Sequence, residues 1–244
     1  MAAEIRIGTS GWHYKHWKGP FYPADLPASK MLDYYLRHFD TVEINNSFYR
    51  LPPESALENW RNSTPPNFLF AVKGSRYLTH MKKLADPEAG LEKFLTRVEI
   101  LGAKLGPVLF QLPPFLDARL DRLQGFLAAL PKSLRVAFEF RHPGWHTEAV
   151  YQLLRHHNAA FCVFDLAGFE SPVEVTADFA YVRLHGPGGR YQGDYSPVAL
   201  RRWAGHIDTW RRRLKAVYVY FDNDQAGFAP KNALELKRLI AEFR

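Results

Sequence analysis

The chain has 244 residues, 47% of them hydrophobic, 15% aromatic and 23% charged, with a formal net charge of +7. That length matches the roughly 250 residues of one eightfold β/α barrel, and the composition excludes a disordered chain. A single cysteine excludes a disulfide scaffold, and no apolar run reaches the roughly 18 residues of a membrane-spanning helix.

The first strand pattern, IRIG, follows MAAE without the layout of a signal peptide. The lone Cys162 falls mid-strand as a buried thiol, and both features lead us to expect a cytoplasmic protein. From Gly11 to Pro27 the chain is aromatic and rich in Gly and Pro, and it is expected to fold as a lid or wall. Further strand patterns follow at TVEIN, FLFAVKG, PVLFQL, RVAFEFR, AFCVFDL, YVRLHG and VYVYFD. Helical spacing relates Leu91, Phe94, Leu95, Val98 and Leu101, and then Leu120, Leu123, Phe126, Leu127 and Leu130 behind an expected Asp117 N-cap. It recurs in Leu200, Trp203, Ile207, Trp210 and Leu214, and in Leu236, Leu239, Ile240 and Phe243. Between Leu166 and Asp178 the helical period fades around Gly168 and Pro172, so a loop or single turn is expected there. Strand alternating with helix over eight units implies a TIM (β/α)8 barrel, one domain over residues 1–244. The basic run Arg211, Arg212, Arg213 and Lys215 closes a helical pattern, where cations complement the helix dipole; a nucleic-acid patch is the weaker reading.

Each strand pattern ends on a polar or ionisable residue, and in a parallel barrel such ends converge on one mouth. Alternation puts Ala137, Glu139 and Arg141 opposite Val136, Phe138 and Phe140, whose bulk suits the surrounding helices. The same parity turns Glu43, Asn45, Lys73, Arg183, His185 and Asp222 inward, and Asp165 is expected to join them. Buried ion pairs stabilise poorly, so a charged cluster at strand ends is better explained by ligand chemistry than by packing.

The stretches TSGWHYKHWKGPFYP, FDTVEINNSFYRLP, FLFAVKGSRYLTH, GPVLFQLPPF, VAFEFRHPGW, YVRLHGPGGRY and VYVYFDND cover nearly the whole chain. Together they resemble the domain of unknown function 72 family, a group of TIM-barrel proteins. The resemblance implies the barrel and no particular reaction. It implies a serine where this chain has Gly144, so any role for that hydroxyl is absent here.

Four chemistries suit these residues. In the first, Glu43 and Glu139 form an acid–base pair: side chains reaching inward across a ~14 Å barrel leave roughly 6 Å between carboxylates, suited to hydrolysis. Trp12, Trp17, Trp145 and Tyr191 would stack on a sugar ring or base. In the second, Lys73, Arg141 and Arg183 bind a phosphate, aided by backbone amides around Gly188 in HGPGGRY. The third is a metal held by Glu139, Asp165, His185 and Asp222, which the neighbouring arginines oppose. The fourth is a binding module without turnover. The leading expectation is a hydrolase-like enzyme for an anionic or sugar-like small molecule. Glu43 and Glu139 carry acid–base chemistry, His185 shuttles a proton, and Asp165 and Asp222 hold these groups in place. Lys73, Arg141, Arg183, Asn45, Tyr49, Gln111, Trp12 and Gly188 line the ligand. His80 is read as a surface residue. No metal, cofactor or membrane is expected, a nucleic-acid partner is weakly supported, and oligomeric state is left open.

Overall fold

The structure, a computed structural model, describes residues 3–243. Its strands are β1 (Glu4–Thr9), β2 (Thr41–Ile44), β3 (Leu69–Lys73), β4 (Leu105–Leu112), β5 (Val136–Phe140), β6 (Ala160–Leu166), β7 (Phe169–Glu170), β8 (Phe179–Leu184) and β9 (Ala216–Phe221). The helices are α1 (Met31–Tyr35), α2 (Glu54–Ser63), α3 (Glu88–Val98), α4 (Leu120–Ala128), α5 (Glu148–His156), α6 (Pro197–Arg211) and α7 (Phe228–Glu242). Eight parallel strands, in the order β1-β9-β8-β6-β5-β4-β3-β2, make a nearly closed barrel sheet with surrounding helices, a TIM-like (β/α)8 fold. A parallel bridge between Ser10 and Glu43 joins the two ends of that order.

The chain divides into two compact units. The first comprises the chain up to Glu43, Val163–Ser171, and the chain from Phe179 on; the second comprises Ile44–Cys162 and Pro172–Asp178.

In the first unit, β1 and β8 both pair in parallel with β9. Leu200, Trp203, Ile207 and Trp210 of α6 and Leu236, Leu239 and Ile240 of α7 are buried, as their spacing requires. Ser196 caps α6, its Oγ accepting from the Ala199 amide, and Pro197 at the first helical position loses no bond. Trp17 and Tyr22 of the Gly11–Pro27 segment are fully buried, and Trp17 Nε1 donates to the Asp224 carbonyl at 2.9 Å. This segment is a packed wall pinned to the chain just beyond β9.

In the second unit, β4 pairs in parallel with β3 and β5, so the C-terminal ends of these three strands share one edge. The outward phenylalanines interlock with the helices. Phe110 meets Phe94 of α3 and Phe126 of α4, while Phe138 stacks on Phe140 and Phe140 on Trp145 at 4.7 Å. Edge-to-face and offset contacts at these distances are the favoured ring geometries. The N-cap expectation for α4 fails: Asp117 Oδ1 bonds the adjacent Ala118 amide, the helix starts three residues later, and Leu120 is exposed.

The missing crossover helix is replaced by a short return. β7 pairs antiparallel with the end of β6. In the first unit Ser171 Oγ accepts the Phe164 amide at 2.9 Å; in the second, Thr176 Oγ1 accepts the Phe161 amide at 2.7 Å. Hydroxyls thus satisfy strand amides in a connection too short for a helix.

Candidate functional site

The first unit holds a buried ion network built on Arg183. Alternation along β8 turns Tyr181, Arg183 and His185 to one face, and all three are fully buried. Arg183 Nη2 donates to Glu43 Oε1 at 2.7 Å and to Asp222 Oδ2 at 2.9 Å. Glu43 also accepts from the Ser10 hydroxyl on Oε1 and the Tyr181 hydroxyl on Oε2, each at 2.6 Å. Asp222 Oδ2 lies 3.0 Å from His185 Nδ1, and His185 Nε2 faces Arg183 Nη1 at 3.4 Å. The tautomer with the proton on Nδ1 satisfies both contacts. Burial, followed by the Glu43 charge, drives the Tyr181 phenol well above its ordinary value, so it stays a donor. Tyr14, whose hydroxyl donates to the Ser10 carbonyl at 2.7 Å, is raised by burial and then by Asp222.

The inward parity expected for Glu43, Arg183, His185 and Asp222 therefore brings these four together. Asp165 does not join them. Phe164 is the β6 residue whose ring meets His185, at 6.3 Å, so alternation turns Asp165 to the opposite face. There its carboxyl is buried against the Tyr195 hydroxyl, with Glu170 and Arg202 nearby. Burial raises its pKa, and the Tyr195 hydrogen bond offsets part of the rise.

The loop after β8 closes on itself. Gly186 N–H donates to the Tyr195 hydroxyl at 3.0 Å, Gly188 N–H to the Gln192 carbonyl at 3.3 Å, and Gly193 N–H to Gln225 Oε1 at 3.2 Å. The Gly186 and Gly188 amides lie in the stretch expected to cradle a phosphate, and both are bonded within the loop. Gly186 has φ +111°, and a Cβ there would fall 2.1 Å from the Gln192 carbonyl oxygen, which explains the glycine.

The second unit gathers cations at the strand-end edge. Glu139, at the end of β5, is fully buried and accepts from Arg141 Nε at 2.6 Å. Lys73, at the end of β3, is buried with its Nζ 4.4 Å from the Phe48 ring centre. The His80 ring meets the same Phe48 edge-on at 4.9 Å. Burial, and then Lys73, Arg76 and Arg141, hold the His80 imidazole down at about 4, so it is neutral at pH 7. The strand-end group thus includes His80, which sequence reading put on the surface. A π-helix, Tyr77–Met81, carries it; such turns are frequent at functional sites and leave no period in the sequence.

The remaining expected residues divide. Asn45 is half-buried, with an Oδ1 that is buried without a partner among the described residues. Gln111 turns its amide nitrogen to the Leu112 carbonyl at 2.7 Å rather than outward. Tyr49 is exposed, its ring edge-on to Phe48. Trp12, Trp17 and Trp145 are buried, so none offers an open face for stacking on a sugar. Among the described residues no group of three or more His, Cys, Asp or Glu is placed to hold a metal ion. Among the described residues no helix is long and apolar enough to cross a membrane.

The family model described as protein of unknown function DUF72 matches residues 6–244. The chain belongs to this family. A DUF72 family protein from Thermotoga maritima is 31% identical, with a TM-score of 0.90 over 98% of this chain and 99% of that one. A DUF72 family protein from Enterococcus faecalis shares the fold at 20% identity, with a TM-score of 0.84 over 97% of this chain and 95% of that one. The UPF0759 protein YunF of Bacillus subtilis is 27% identical over 269 aligned residues, 97% of this chain and 94% of YunF. In this DUF72 chain, sequence reading missed Ser10 and Tyr181 as ligands of Glu43. Tyr181 was legible as inward-facing, but its hydroxyl partner was not.

Proposed function

We propose that this DUF72 protein is an acid–base enzyme, hydrolytic in kind, that takes a small anionic molecule at the strand-end edge of its second unit. The observation that carries the proposal is the set of groups around His80: burial first, and then the charges of Lys73, Arg76 and Arg141, depress its imidazole, whose ring packs on the same Phe48 as Lys73. Cations gathered beside one ring give a positive potential that attracts an anion. Lys73 and Arg141 come from rigid strand ends and Arg76 from the turn beyond β3, so an anion meets fixed charges and pays little to organise them. Neutral His80 can donate one hydrogen bond without adding charge.

Glu139 takes the proton-transfer role, since it lies at the same edge and bonds Arg141. Glu43 is assigned to positioning, because three donors already occupy its carboxylate. Burial of the tryptophans favours an anion over a sugar-like ligand as the primary determinant.

Calorimetric titration with inorganic phosphate, paired with turnover of a panel of aryl phosphate esters, tests this reading. Phosphate should bind wild type and bind Lys73→Met at least about tenfold more weakly, a loss of about 1.4 kcal/mol. Glu139→Gln should retain phosphate binding and lose turnover. Equal phosphate affinity in Lys73→Met would sink the anion site. Tight binding with no turnover of any ester would leave a binding module in place of an enzyme.

A further inference from the structure

Among the exposed large apolar side chains of the second unit are Tyr49 at 79%, Tyr77 at 47%, Met81 at 66% and Phe115 at 70%. They are not scattered. Tyr49 follows β2, Tyr77 and Met81 sit in the π-helix after β3, and Phe115 follows β4. The three strands are neighbours in the sheet, so the segments that follow them leave from one edge. Tyr49 packs on Phe48, Phe48 on His80 and Lys73, and Lys83 lies 5.9 Å from the Phe115 ring centre. Ser47 Oγ donates to the Lys73 carbonyl at 2.6 Å and so fixes the turn bearing Tyr49 to the end of β3. Basic residues interleave with the rings. Arg50 and Arg76 are exposed, while Lys82 and Lys83 are half-buried, with Lys82 bonded to Asp86 at 2.9 Å. Lys83, Leu84 and Asp86 all have positive φ, at 50°, 66° and 42°. Non-glycine residues held left-handed mark strain, which clusters at ligand clamps and switch regions.

We infer that the anion bound beside His80 is a phosphate of a single-stranded oligonucleotide, whose neighbouring bases stack on the exposed rings of Tyr49, Tyr77 and Phe115. This inference rests on the anion site proposed above and names its ligand. A positively charged track with aromatic side chains at intervals is how single strands are held without sequence preference. Unpaired bases offer the flat faces that an orthophosphate or a short acidic peptide lacks. A membrane surface fits less well: Lys73 is buried beneath Phe48, beyond the reach of a planar layer of headgroups.

Fluorescence anisotropy of labelled oligo-dT and oligo-U, each of about 12 nucleotides, with the whole protein reads this directly. Three phosphate contacts predict that log K falls with log salt at a slope of about −2, roughly 0.7 per contact. The relative affinities for the two oligomers distinguish DNA from RNA. Tyr49→Ala and Phe115→Ala, both at exposed positions, should each weaken oligonucleotide binding about fivefold or more and leave inorganic phosphate binding unchanged. Arg76→Ala should weaken both. If phosphate binds and neither oligomer does, the inference falls while the anion site stands. If neither phosphate nor oligomer binds, both fall. Binding of the oligomers that ignores salt or survives both ring substitutions overturns the inference. So does binding to phosphatidylserine vesicles in place of the oligomers.

Discussion

Replacing Arg183 with methionine is the sharpest test of the buried network. The guanidinium is fully buried and bonds Glu43 at 2.7 Å and Asp222 at 2.9 Å. Methionine fills similar space but leaves two carboxylates facing one fewer donor each. Removing one member of a buried ion pair costs about 3–5 kcal/mol, because the abandoned charge stays desolvated. Glu43 keeps the Ser10 and Tyr181 hydroxyls, and Asp222 keeps His185, which favours the lower end. A loss of about 3 kcal/mol lowers the melting temperature of a chain this long by about 6–12 °C. Thermal unfolding followed by circular dichroism at neutral pH measures it, and urea titration gives the free energy. Adding Glu43→Gln should restore part of the loss, since it removes one of the stranded charges, so the cycle should show coupling of about 1 kcal/mol or more. A variant melting within about 2 °C of wild type would refute the claim that Arg183 holds these carboxylates in the interior.

Two further outcomes follow from the geometry. His80 should titrate by NMR with a midpoint of about 4, and Lys73→Met should move that midpoint upward. Because folding lowers this pKa from an unfolded value near 6.5, its contribution is complete above that value and is lost as pH falls toward 4. With the ring partly solvated, the loss amounts to about 1 kcal/mol, and a midpoint near 6.5 would contradict the cationic surroundings. Gly186→Ala should destabilise by about 2 kcal/mol or more in urea, since φ is +111° and the new Cβ lands 2.1 Å from a carbonyl oxygen. Gly188→Ala, whose nearest obstacle is 3.7 Å away, serves as the mild control; equal effects of the two would discredit the loop geometry.

The barrel was legible because β-strand parity and helical spacing are local signals. Val217, Val219 and Phe221 opposite Tyr218, Tyr220 and Asp222 announce their two faces without any tertiary information. Parity failed at Asp165 because both faces of β6 are apolar, so no alternation marked which side faces inward. The Asp117 N-cap failed because a carboxylate can bond its immediate neighbour's amide instead of starting a helix. The buried tryptophans looked like stacking surfaces because ring type carries no record of burial. His80 was undervalued because the cations around it come from the end of β3, the turn beyond it and the residue after β5, and only folding assembles that potential.

Arg183 also constrains the order in which the polypeptide matures. Its partners stand 140 positions upstream and 39 positions downstream. Arginine cannot discard its proton to enter an apolar interior, so it stays hydrated until both counter-ions arrive. During synthesis, residues 44–162 emerge as one continuous stretch and can consolidate early. The segment around Arg183 must wait for Asp222 to leave the ribosome before water is expelled from around its guanidinium.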